Sequence, residues 1–209
     1  HAQADQAMAE GNYAQAYCLL HPLAEAGDTK AEHDIGWMYA NGYGLAVDES
    51  KAIIWWRKAA REGHGNAQFA LAMAYLAGEG VERDEAAAIE WLIKAANNGI
   101  EDALPVIRSR ASRGSEEAKL AILRLVQSDP ELIGRPAIVD VRRANIREAA
   151  HKDGKLITTL SEGAALVHMA DQGQWSQVGI VESGLIGWVY KPLIKVEGDD
   201  ASEEKAGAN

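Results

Sequence analysis

Reactive side chains are few in this chain and far apart. Six histidines stand at 1, 21, 33, 64, 151 and 168, and one cysteine at 18. A metal site needs His, Cys, Asp or Glu at spacings that a helix or hairpin brings together, and a nucleophile needs a base within reach. Neither pattern is visible. Gly-x-Ser-x-Gly, a phosphate loop, His-Glu-x-x-His and Cys-x-x-Cys are all absent from the sequence. No catalytic residue, metal ligand or cofactor is therefore expected. Two residues keep a chemical option. His1, if it is the mature N-terminus, offers an amine and an imidazole that bind copper together; otherwise it is a residue added for expression. Cys18 lies beside Leu19 and Leu20 and is expected to be a small buried apolar residue.

Binding chemistry has more to work with, and an internal repeat positions it. Shifted by 36 residues, 31–66 aligns with 67–102 without a gap. Identical pairs include Ala31/Ala67, Tyr39/Tyr75, Gly42/Gly78, Gly44/Gly80, Asp48/Asp84, Ala52/Ala88, Trp55/Trp91, Lys58/Lys94, Ala59/Ala95 and Gly63/Gly99. Residues 12–27 read as the second half of an earlier unit, and Ala103, Ile107 and Gly114 as traces of a later one. Each unit predicts two helices. Ala31, Ile35, Met38 and Tyr39 recur at helical spacing, then Gly42 and Gly44 stop the helix through positive φ. Asp48 is the candidate N-cap of the second helix, whose stripe is Ala52, Trp55, Ala59 and Ala60 and whose end is Gly63. One such hairpin cannot bury its apolar face alone, so the units must stack into a solenoid.

The string Ala31-x3-Ile35-Gly36-x-Met38-Tyr39-x2-Gly42-x-Gly44, then Asp48-x3-Ala52-x2-Trp55-x2-Lys58-Ala59-Ala60-x2-Gly63-His64, resembles the Sel-1-like repeat, a relative of the tetratricopeptide repeat. The resemblance spans roughly 10–128 and implies a right-handed α-superhelix that serves as a protein-binding scaffold. A cysteine-rich subgroup pairs Cys residues across each hairpin; with Cys18 alone, that subgroup is not indicated. By tetratricopeptide geometry, the concave face would carry His33, Trp37 and Asn41 in one unit and Phe69, Met73 and Leu76 in the next. Stacking alone does not require apolar residues at Trp37, Phe69, Met73 and Leu76, so they are the expected protein-binding positions, with His33 and Asn41 adding polar contacts. The competing expectation is that the rest of the chain folds back over them.

After Ser128-Asp129-Pro130 the period changes from helical to alternating. Strands are predicted at 137–141, 144–147, 156–160, 165–170, 175–180 and 185–190, separated by Asp153-Gly154, Glu162-Gly163, Asp171-Gln172-Gly173 and Ser183-Gly184. Asn145-Ile146-Arg147-Glu148, Gly163, Gly173-x-Trp175-x2-Val178 and Gly187-Trp188-Val189 resemble the bacterial SH3-like domain, whose members bind peptidoglycan stem peptides or protein segments. The implied groove residues are Arg147, Trp175, Trp188 and Tyr190, although Trp175 and Trp188 read first as barrel core. The Gly-Pro turn usual after the Arg is replaced by Glu148-Ala149-Ala150.

The expected architecture is thus a multidomain α + β chain. An α-solenoid of helix–turn–helix Sel-1-like repeats over 1–128 leads through a linker, 129–135, to a small SH3-like β-barrel, 136–196, and a disordered acidic tail, 197–209. Charge follows that division: −7 over 1–129, +1 over 130–196 and −4 over 197–209, within a total of −10. Such a balance argues against a broad footprint for nucleic acid, and no apolar run approaches the ~18 residues of a membrane span. The resemblances imply a non-enzymatic adaptor of the bacterial cell envelope, periplasmic or otherwise exported after loss of a leader. Its partners would be a protein on the solenoid and a second protein or cell-wall peptide (peptidoglycan) on the barrel. They also admit an inhibitor or immunity protein that neutralises a secreted enzyme or holds a signalling protein inactive. A copper protein using His1 comes third.

Overall fold

A computed structural model describes residues 1–198. The chain divides into two compact units, one ending at Ala118 and one starting at Lys119. The first holds α1 (Ala2–Ala9), α2 (Tyr13–Glu25), α3 (Thr29–Asn41), α4 (Glu49–Arg61), α5 (Gly65–Ala77), α6 (Glu85–Asn97) and α7 (Ala103–Ser112). Successive helices pack on one another along this unit. Both predicted N-caps form: Asp48 Oδ1 accepts from the Lys51 amide and Asp84 Oδ1 from the Ala87 amide, each at 2.9 Å. Gly42 and Gly78 close the first helices in the left-handed region, at φ 72° and 80°. The expected stripe is buried: Ile35 and Leu71 are fully enclosed, as are Ala52, Ala59, Ala88 and Ala95, whose small side chains bring the helix axes close. The repeated lysines have a repeated task. Lys58 Nζ lies 3.9 Å over the Trp55 ring and Lys94 Nζ 4.2 Å over the Trp91 ring.

Gly44 and Gly80 follow the same logic across units. Both have positive φ, and a Cβ would meet Tyr13 at 2.7 Å in the first case and the Glu49 backbone at 2.5 Å in the second. Tyr13 and Glu49 each begin a second helix. Each unit's loop therefore rests on the start of the second helix one unit earlier, an approach that admits no side chain.

The second unit carries most of α8 (Glu116–Ser128), a short α9 (Pro130–Ile133) and seven strands. These are β1 (Arg135–Val139), β2 (Arg143–Arg147), β3 (Leu156–Ser161), β4 (Ala165–Gln172), β5 (Trp175–Ile180), β6 (Ile186–Tyr190) and β7 (Ile194–Val196). All pairings are antiparallel, in the order β3-β2-β6-β5-β4-β1-β7. Alternation sends Val139, Ala144, Ile146, Leu166, Val178, Val189 and Val196 into one apolar cluster. The other face is covered in part. Gly179 leaves room for Val126 of α8, whose side chain would be 2.6 Å from a Cβ there, and α9 packs on β1 and β4 with Ile133 enclosed.

Three expectations change here. The sheet is open: β3 and β7 are its edges and do not pair with each other among the described residues, so a closed barrel is not formed. The units divide at 118/119 and not at 128/129, because α8 buries Val126 against the sheet. The supposed linker, 129–135, is a turn of helix plus the start of β1. The tail expected over 197–209 lies outside the described residues except for Glu197 and Gly198; the Glu197 amide donates to the Pro136 carbonyl at 2.9 Å.

Candidate binding surfaces

In the helical unit, the exposed face of α3 and α5 is built from positions one repeat apart. Trp37 is 39% exposed and its counterpart Met73 is 41% exposed. Trp37 does not stand free in water. Its ring stacks on Tyr43 at 4.5 Å, and Tyr43 leans on Tyr13 at 4.6 Å, so three aromatic rings form a rigid ladder. The Asn41 side chain donates to the Trp37 carbonyl at 2.9 Å and so serves its own helix first. His33 is half-buried; its ring stacks on His64 at 4.9 Å and its Nδ1 lies 2.9 Å from Asp34 Oδ1. Phe69 and Leu76 are half-buried on α5. Of the six expected contact residues, Trp37, Met73 and Asn41 are thus exposed, while His33 is engaged in a ring stack.

His64 has a task the sequence pattern does not announce. Its Nδ1 accepts from the Ala67 amide at 3.2 Å, so the imidazole caps α5 where Asp28 caps α3 by accepting from the Ala31 amide at 2.9 Å. Burial, with the neighbouring His33 second, lowers its pKa, which matches a nitrogen that must stay unprotonated to accept.

In the β unit the four expected groove residues come together. Arg147 pairs with Trp188 across β2 and β6, and Trp175 with Tyr190 across β5 and β6. The Trp175 and Tyr190 rings meet edge-on at 5.8 Å, and the Arg147 guanidinium donates to the Gly154 carbonyl at 2.8 Å. Trp175 and Trp188 are half-buried and absent from the core cluster, so the barrel-core reading gives way: Val178 and Val189 point inward and the tryptophans outward. The sequence pattern also misses Asp171. Burial raises its pKa, but donors from His168, Ser176 and Lys191 outweigh that and hold it well below the usual carboxylate range. Ser176 donates to it at 2.7 Å from a buried position. A Ser two residues into a strand carries no sign of such a partner. Arg142 and Arg143 border a recess of about 480 Å³ with Thr159, Leu160 and Ser161.

The remaining reactive residues stay apart. His1 Nε2 is 3.0 Å from Asp28 Oδ2, and no group of three His, Cys, Asp or Glu side chains able to hold a metal ion occurs among the described residues. Cys18 is exposed, contrary to expectation, because α2 buries the Ala16, Leu20 and Ala24 stripe and Cys18 falls off it. No helix among the described residues is long and apolar enough to cross a membrane.

Stacked helix–turn–helix units, αL glycines after the first helices and outward aromatic positions define a helical repeat scaffold. Two consecutive units match the model of the Sel1 repeat, at 29–64 and 65–100. A crystal structure of a Sel1 repeat protein from Oxalobacter formigenes is 25% identical, with a TM-score of 0.52 over 63% of this chain. This chain spans 57% of that protein's length. A protective antigen of uropathogenic Escherichia coli with an SLR fold is 29% identical over 57% of this chain and 27% of its own, with a TM-score of 0.48. The cysteine-rich protein B of Helicobacter pylori is 26% identical over 44% of this chain and 69% of its own, with a TM-score of 0.43. No curated protein matches. Sel1 repeat proteins are generally protein-interaction scaffolds.

Proposed function

We propose that this chain is a non-enzymatic protein-binding scaffold of the bacterial cell envelope. The first-helix face of the Sel1 repeats holds one protein partner, and the β unit, read as an SH3-like module, holds a second protein or a cell-wall peptide. One observation carries the reading: Trp37 and Met73, large and apolar, occupy equivalent exposed positions of consecutive repeats, outside the packing that holds the repeats together. The ring ladder behind Trp37 adds rigidity, which lowers the entropic cost of using it as an anchor. The grouped Arg147, Trp188, Trp175 and Tyr190 support the second contact. With two modules, each site needs only modest affinity.

The test is crosslinking and pull-down from envelope extract with the wild-type chain and with Trp37→Ala/Met73→Ala. Loss of the principal partner is expected, on the scale of about 2 kcal/mol or more for an aromatic anchor. Unchanged recovery would sink the claim for this face.

A further inference from the structure

Consecutive repeats differ at one enclosed polar position. Gln68 on α5 is 3% exposed and bonded at both ends of its amide: its Nε2 donates to the Ala60 carbonyl at 3.0 Å, and its Oε1 accepts from Asn98 Nδ2 at 2.9 Å. One period earlier stand Glu32 for Gln68, Ala24 for Ala60 and Glu62 for Asn98. The backbone is the same at both joints. Gly27 and Gly63 both have φ 88°. The Gly27 amide donates to Ala24 and the Gly63 amide to Ala60, at 3.0 and 3.2 Å; the Asp28 amide donates to Leu23 and the His64 amide to Ala59, both at 3.0 Å.

Glu32 is 5% exposed, and its buried Oε2 has no hydrogen-bond partner. A buried carboxylate oxygen without a donor is costly. Protonated, the same group gains an O–H, and the carbonyl equivalent to Gln68's acceptor is that of Ala24. The donor that would favour an anion is missing, because Glu62 stands where Asn98 supplies an N–H. Burial and the charges of Glu62, Asp28 and Glu25 act against ionisation; Lys58 opposes them, and the net shift of the Glu32 carboxyl is upward. Lys58 itself is drawn over the Trp55 ring.

We infer that Glu32 is a proton-binding site in the first repeat: as the neutral acid it donates to the Ala24 carbonyl and ties α3 to α2, and losing the proton loosens that joint. The sign follows from the direction of the shift. The folded chain holds the proton more tightly than the unfolded chain, so the tie is complete below the ordinary glutamate value of ~4.3 and is lost as pH rises through the higher folded midpoint.

The test uses the full chain and two readouts. Carboxyl NMR should place the Glu32 midpoint above ~4.3, and Glu62→Asn, which restores the donor, should lower it. Amide exchange at Gly27 and Asp28 should be several-fold slower in Glu32→Gln than in wild type at about pH 8, the ratio falling towards one at about pH 4. A Glu32 midpoint at or below the ordinary value, a midpoint unmoved by Glu62→Asn, or an exchange ratio that does not change with pH would each overturn the inference.

Discussion

Repeat 29–64 and repeat 65–100 put glycine at φ 71° and 67° in their loops, at Gly44 and Gly80, each against the start of an earlier second helix. They put Trp and Met at the same exposed place on their first helices, at Trp37 and Met73. The first pair is identical and cannot be otherwise, since the loop touches backbone. The second pair differs and is free to, since both side chains lie outside the buried core of the stack, Trp37 touching only the edge of it through Tyr43. Residues held constant between repeats answer to backbone geometry or to packing inside the stack, as Lys58 over Trp55 and Lys94 over Trp91 do; those that vary answer to solvent, to a partner or to a joint, as at Glu32 and Gln68. Three experiments can break or sharpen that division.

The largest effect belongs to the constant loop glycines. Gly80→Ala must place a Cβ 2.5 Å from the Glu49 backbone and hold an L-residue at φ 67°. Backbone cannot retreat as a flexible side chain does, so the clash and the left-handed conformation add to about 3 kcal/mol lost. Gly63 supplies the contrast: φ is 88°, but nothing lies within 4 Å of its Cβ position. Gly63→Ala should lose only the conformational part, about 1 kcal/mol. Urea unfolding followed by helical circular dichroism separates the two. Equal losses would mean that the inter-unit contact, and with it the reason for the constancy, is misread.

Much of this division was legible beforehand. A gapless lag of 36 residues is a strong signal because identical units must solve identical packing problems, and the caps, αL glycines and buried alanines all appear where the lag places them. Trp37 and Met73 were legible by subtraction, as apolar residues the stack does not need. Strands β1 to β6 were legible by alternation, and β7 was not, since three residues show no period. Openness of the sheet was not legible either: alternation says which side chains point inward, not which edges meet. The ring stack of His33 on His64 and the exposure of Cys18 depend on helix rotation by a fraction of a turn, finer than the periodicity resolves.

The middle effect tests the constant caps. Asp84→Ala leaves the Ala87 amide without its acceptor and should lose about 1 kcal/mol by the same unfolding measurement. Asp48→Ala removes the matching cap and also a 3.0 Å ion pair with Lys51, so its loss should equal or modestly exceed that of Asp84→Ala. A large excess at Asp48 would show that the repeats use the position differently despite sharing the residue.

The smallest effect concerns a cap that varies. Asp28 and His64 do the same work at the starts of α3 and α5, but only the imidazole can lose its acceptor by gaining a proton near neutrality. Burial, and then His33, keeps the folded His64 pKa below its ordinary value, so the unfolded chain binds the proton more readily. Stability from this group is therefore complete above the ordinary value of ~6.5 and declines as pH falls below it, until the folded group also protonates. His64→Asn keeps a good capping acceptor and removes the titration. The expected outcome is a wild-type chain that loses stability relative to His64→Asn between about pH 7.5 and about pH 5.5, by less than the Asp84 cap deletion. Taking the difference between the two chains cancels the histidines that do not touch His64 and the opposite trend expected from Glu32; His33, stacked on His64, stays part of what is read. Parallel pH profiles would mean that His64 does not cap as the neutral ring. The position would then vary between repeats because the α5 start tolerates the loss of its cap, not because two side chains supply the same acceptor.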